Sequence, residues 1–169
     1  MLVLKVVIAL AIVCICAYVG ISKAKKYESR EYILTEAIML FSGIENEIKY
    51  TLATLPNAIE AVRINMKTGL KDVLGSIGCE LLRYNASSEQ IASEISNLQE
   101  LTPYDKQIIS NGIIELGKTD LEGQIGIINR TCSVLKNQLE DAIESKKKNS
   151  KMYKTIGFAT GLMIAIVFI

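Results

Sequence analysis

Residues 119–169 read TDLEGQIGIINRTCSVLKNQLEDAIESKKKNSKMYKTIGFATGLMIAIVFI. The first half carries Leu121, Ile125, Ile128, Cys132, Leu135, Leu139 and Ala142 at spacings of 4-3-4-3-4-3. This is a heptad seam of three repeats on one helix face. Thr119 and Glu122 stand at the spacing of a capping box, so the helix is predicted to open there. No stop signal interrupts "ESKKKNSKMYK", so the same helix is predicted to run on into the apolar stretch beyond it. The seam is predicted to be the core of a small helical bundle. An intermolecular coiled coil through the same face is the alternative.

Thr155–Ile169 is fifteen residues without a charge. At ~1.5 Å each they reach ~22 Å, short of the ~30 Å hydrocarbon core. Met152, Tyr153 and a snorkelling Lys154 extend the run to eighteen residues, enough to span with little tilt. A transmembrane helix is therefore expected over 152–169. Gly157 and Gly161 form a G-x-x-x-G pair, which lets a second backbone approach closely in lipid. The opening, "MLVLKVVIALAIVCICAYVGISKAKK", has seventeen uncharged residues from Val6 to Ser22, and Lys5 can snorkel. No A-x-A site precedes the lysines, which disfavours a cleaved signal peptide, so an uncleaved anchor is expected over 1–22. Ala9, Cys16, Ala17 and Gly20 are its small residues. Cys16 and Gly20 are the predicted packing partners of Gly157 and Gly161, with another subunit's helix as the alternative.

Net charge is +1, but all 18 acidic residues lie between Glu28 and Glu144 against 10 basic ones, a local net of −8. The other 9 basic residues are Lys5, Lys23, Lys25, Lys26, Lys146, Lys147, Lys148, Lys151 and Lys154. An acidic middle is a poor nucleic-acid binder. Basic collars on both sides put the middle on the cytoplasmic face by the positive-inside rule, with both tips outside. The expected division is an anchor at 1–22, a cytoplasmic helical bundle at 23–151 and a second anchor at 152–169.

The middle reads as helix after helix, an all-α fold of about six. Leu34, Ile38, Phe41, Ile44, Ile48, Leu52 and Leu55 recur every three or four residues, one face of a helix from Tyr27 to about Leu55 that can continue out of the first anchor. Pro56 ends it and opens the second, with Ala58, Ile59 and Val62 inward. A third runs from about Thr68 to Tyr84 with Leu70, Val73, Leu74, Ile77 and Leu81 inward. After a break at 85–88, Ser87 with Gln90 caps a fourth helix to about Leu101. Thr102-Pro103 caps and opens a fifth, with Asp105 near its positive end, running to Gly117. Gly117 stands where helices commonly end in a left-handed cap, and Asp120 suits the start of the sixth.

Catalytic constellations are absent. The chain has no His, and its four Cys (Cys14, Cys16, Cys79 and Cys132) form no C-x-x-C, so neither metal, cofactor nor dithiol chemistry is expected. Ser22-x-x-Lys25 and Lys67-Thr68-Gly69 mimic two penicillin-binding signatures, but the third signature and the strands that hold them are missing. No phosphate loop occurs, so energy for any driven process would come from a partner.

Three stretches together carry a resemblance. Glu47-Ile48-Lys49-Tyr50 precedes a Pro; Leu116-Gly117-Lys118-Thr119-Asp120-Leu121-Glu122-Gly123-Gln124 fits L-G-x-x-D-x-x-x-Q; and Met152 to Leu162 fits a basic-flanked G-F-x-x-G-L anchor. In this order the chain resembles the stage III sporulation protein AB family of endospore-forming bacteria. It departs from that family's Y-x-x-T-P-L layout between Tyr50 and Pro56. The resemblance implies a six-helix bundle similar to the cytoplasmic domain of inner-membrane platform proteins of type II secretion and type IV pilus systems. It implies a place in the mother-cell membrane, in the channel complex facing the forespore. It also implies a partner ATPase, the AA protein of the same set, and other ring subunits. A partner-facing role for the turn of Leu116, Gly117, Asp120 and Gln124 rests on the resemblance.

Three function classes follow: a non-enzymatic membrane platform that docks an ATPase, a membrane-tethered adaptor or sensor that dimerises through its last cytoplasmic helix, and an enzyme. The residues supply nothing for the third.

Overall fold

The computed structural model describes residues 2–83 and 87–168; for 2–12, 154, 157, 161, 162, 165, 167 and 168 it describes the backbone alone. Among the described residues there are six α-helices and one π-helical turn, and no strand. They are α1 (Leu2–Asn46), a π-turn (Glu47–Thr51), α2 (Leu55–Arg63), α3 (Leu70–Leu82), α4 (Ser88–Ser96), α5 (Pro103–Leu116) and α6 (Leu121–Phe168). The all-α class and the count of six agree with the periodicity. Continuation of the first and last helices into the terminal apolar runs agrees as well.

The chain divides into two compact units: residues 1–31 with 141–169, and residues 32–140. In the first, α1 and α6 lie side by side. Tyr27 stacks on Tyr153 with ring centroids 5.9 Å apart. The ammonium of Lys146 sits 2.9 Å from a Glu31 carboxylate oxygen and 3.9 Å from one of Glu28. A side-chain hydrogen bond with Tyr153, then burial, holds the Tyr27 phenol above its ordinary value. Gly20 and Ala24 are buried and Cys16 is half-buried. Spaced by four, these residues form one small-residue face of α1.

The second unit is the bundle. Its core comes from α1 (Leu34, Phe41, Ile44), α3 (Leu70, Leu74, Ile77), α5 (Ile109, Ile113, Leu116) and α6 (Ile128, Leu135), all at most 1 % exposed. A Cβ at Gly112 of α5 would lie 2.7 Å from the Phe41 ring and 3.0 Å from the Thr131 methyl, so glycine here lets α5 close on both neighbours. Helices α2 and α3 pack together, as do α4 and α5.

Caps fix the starts. Ser87 and Gln90 form the expected box on α4, at 3.1 Å and 2.9 Å. Thr102 and Asp105 form one on α5, at 3.2 Å and 2.9 Å, with Pro103 in the first turn and Asp105 fully buried. The loop into α3 is held across the chain. Glu36 of α1 accepts the backbone N–H groups of Lys67 and Thr68 at 2.6 Å and 3.2 Å and the Thr68 hydroxyl at 2.5 Å. These charge-assisted bonds pin the α2–α3 connection to α1.

Four expectations are corrected. The first regular helix stops at Asn46 rather than near Leu55, because five residues wind as a π-turn. The turn ends on Leu52 in the left-handed region (φ 52°), 79 % exposed rather than inward. Helix α4 ends at Ser96 rather than near Leu101, and Leu98 and Leu101 are buried from the following turn. Leu121, the first seam position, is 42 % exposed. The break over 85–88 falls partly outside the described residues.

Candidate functional site

The α5–α6 turn is stitched by its own side chains. The carboxamide of Gln124 donates to the carbonyl of Leu116 at 3.1 Å and to that of Thr119 at 3.2 Å. Asp120 accepts the N–H of Gly123 on its carboxylate at 3.0 Å, and its carbonyl accepts the N–H of Gln124 at 2.8 Å. Asp120 is thus the cap of α6, in place of the expected box from Thr119 to Glu122. Gly117 is not left-handed; it has φ −72° and ψ −5°. A left-handed cap serves by turning backbone N–H groups onto the last carbonyls of a helix. Here Gln124 reaches back from the next helix and does that for Leu116. The leucine side chain is fully buried, while Gly117 and Asp120 face out.

Removing that carboxamide leaves a half-buried carbonyl without its donor. Gln124→Ala is expected to destabilise the bundle by about 1–3 kcal/mol. Urea unfolding of residues 27–150 checks this; an unchanged midpoint would show that water replaces Gln124 without loss.

A second exposed feature is the π-turn. Ile48 points inward, 6 % exposed, and Tyr50 points out, 76 % exposed. The Thr51 hydroxyl bonds back to the Glu47 carbonyl at 2.5 Å and the Glu47 carboxylate at 3.0 Å. Leu52 holds a backbone region that costs a non-glycine residue of the order of 1 kcal/mol. Strain and exposure coincide at Leu52, with the exposed Tyr50 beside it, and the turn falls where the chain departs from the Y-x-x-T-P-L layout. Helices α5 and α6 line a groove of about 320 Å³ that includes Tyr104, Gln107, Gly112 and Val134.

The seam splits along its length. Ile128, Cys132, Leu135 and Ala142 are buried, whereas Ile125 and Leu139 are half-buried. Thr131 is buried beside them, a polar position that the apolar spacing passed over. The Cys132 thiol meets the Ser42 hydroxyl at 3.9 Å. Burial pushes this thiol up from its ordinary value, partly opposed by that hydroxyl and by Lys136. Cys79 lies exposed on α3. Since the thiolate is the reactive form, maleimide should modify Cys79 at least ~10 times faster than Cys132 in folded 27–150, which contains only these two cysteines. Equal rates, read by peptide mass spectrometry, would mean the seam opens.

Of the predicted packing residues, Gly20 and Cys16 lie on the small-residue face of α1. Gly157 and Gly161 lie within α6, and their surroundings fall outside the described residues. Among the described residues no helix is long and apolar enough to cross a membrane. Much of both apolar runs, including the side chains of 2–12 and 167–168, lies outside that set. No group of three or more His, Cys, Asp or Glu able to hold a metal occurs among the described residues.

The family model for stage III sporulation protein AB matches residues 5–169. Stage III sporulation protein AB of Bacillus subtilis (strain 168) is 23 % identical over 168 residues, covering 97 % of this chain and 98 % of that one. No solved structure matches. A match that covers the bundle and both terminal helices decides the matter: the chain belongs to the stage III sporulation protein AB family.

Proposed function

We propose that this protein is a non-enzymatic platform of a sporulation channel complex, anchored at both ends in the mother-cell membrane and docking a partner ATPase and other membrane subunits. The observation that carries the proposal is the division of the chain. Both ends form one helical unit while the middle forms a separate bundle. Such a division suits a protein whose ends hold a membrane and whose middle presents a surface. The apolar runs at 1–22 and 152–169, each with its lysine collar, support the anchors, and the collars support a cytoplasmic bundle. The chain carries no nucleotide-binding loop, which fits a role that takes its energy from a partner.

Tyr50 and Leu52 on the π-turn, together with the outer face of the Leu116–Gln124 turn, are the proposed docking features. Burial of Ile128 and Leu135 within one bundle disfavours the adaptor that would dimerise through the seam. Affinity purification of the tagged chain from sporulating cells tests the proposal. Recovery of an ATPase and ring proteins supports the platform, and recovery of the chain alone supports the adaptor.

A further inference from the structure

Three lysines of α6 line one cleft in the helical unit of the two ends. On α6, Lys146, Lys147, Ser150 and Lys151 line an open cleft of about 520 Å³ with Ile143 and with Glu31 of α1. Lys146 is already committed to Glu31 and Glu28. Lys147 and Lys151 are exposed, and four residues apart they present two ammonium groups on one helix face. With the half-buried Ser150 beside them, the cleft offers two cations and a hydroxyl to an anion. The same face continues one turn and more past the lysines into apolar surface: Phe158, seven residues after Lys151, is 54 % exposed. A site with cations at one end and exposed apolar surface in line with them matches a ligand with an anionic head and a hydrocarbon tail. Tyr153, two residues after Lys151, stacks on Tyr27, and amphipathic rings of this kind gather at the level of lipid headgroups.

We infer that Lys147, Ser150 and Lys151 form a binding site for the phosphate headgroup of an anionic phospholipid, with the acyl chains lying along α6 toward Phe158. The site rests on the membrane-anchor proposal above. It is distinct from general attraction to a basic collar, because Lys25 and Lys26 carry the same charge on α1, outside the cleft.

The full chain in non-ionic detergent, titrated with dioleoyl phosphatidylglycerol or dioleoyl phosphatidylcholine and read by native mass spectrometry, tests the site. At about fivefold for each lysine near an anionic headgroup, phosphatidylglycerol should be preferred by roughly 25-fold. Lys147→Gln with Lys151→Gln should bring the preference close to one, whereas Lys25→Gln with Lys26→Gln should leave most of it. Equal loss in both variants would overturn the site in favour of the diffuse collar. Displacement of the lipid by millimolar inorganic phosphate or glycerol 3-phosphate would overturn the lipid as ligand. Flotation with vesicles separates the two proposals. A chain that floats with phosphatidylcholine vesicles but shows no headgroup preference loses only the site. A chain that floats with no vesicle loses the anchors and the site together.

Discussion

Ile128→Asp is expected to cost the central bundle a large share of its stability. Ile128 is 1 % exposed in the middle of the α6 seam, and among the described residues no Lys or Arg is buried. An unpaired buried charge costs about 3–5 kcal/mol, against total stabilities of about 5–15 kcal/mol for a domain. Urea unfolding of residues 27–150 should show the midpoint fall by about a fifth or more. An unchanged midpoint would mean that the seam is open to water, and the dimerising adaptor would gain.

Phe41→Ala should have an effect of the same size for a different reason. The ring is fully buried and fills the space left by the missing side chain of Gly112. Its loss removes this contact of α1 with α5 at Gly112 and leaves a cavity, typically at a cost of about 3–5 kcal/mol. Gly112→Ala on the Phe41→Ala background is the informative second step. The added methyl, which collides with the ring in the natural chain, should recover part of the lost stability. If the two substitutions simply add as separate losses, the ring and the glycine are not complementary.

Helix number, the caps at Ser87 and Thr102, and Pro103 in the first turn of α5 were legible because each depends on residues three or four apart. The π-turn was not. An i to i+5 bond slips one residue into the helix and rotates everything after it, so Leu52 leaves the face that its spacing from Ile48 assigns it. Gly117 was misjudged for a similar reason. Its conformation depends on whether the Leu116 carbonyl finds another donor, and that donor is the side chain of Gln124, eight residues on. The Glu36 clamp on Lys67 and Thr68 joins residues over thirty positions apart, and no local pattern announces it. In the α5–α6 turn only the place of Asp120 at the start of α6 was legible. Leu116 buries its side chain and Gln124 bridges the two helices, neither of which follows from the spacing of the motif.

The two-ended anchor is tested most directly by the side of the membrane on which the bundle sits. Cys79 is exposed on α3 and serves as a natural reporter once Cys14, Cys16 and Cys132 are replaced. A second variant carries its single cysteine after Ile169. With a membrane-impermeant maleimide on intact cells, Cys79 should stay unmodified until the membrane is permeabilised, while the cysteine after Ile169 should react at once. Modification of Cys79 in intact cells, with the terminal cysteine protected, would contradict a bundle held at the cytoplasmic face by both ends.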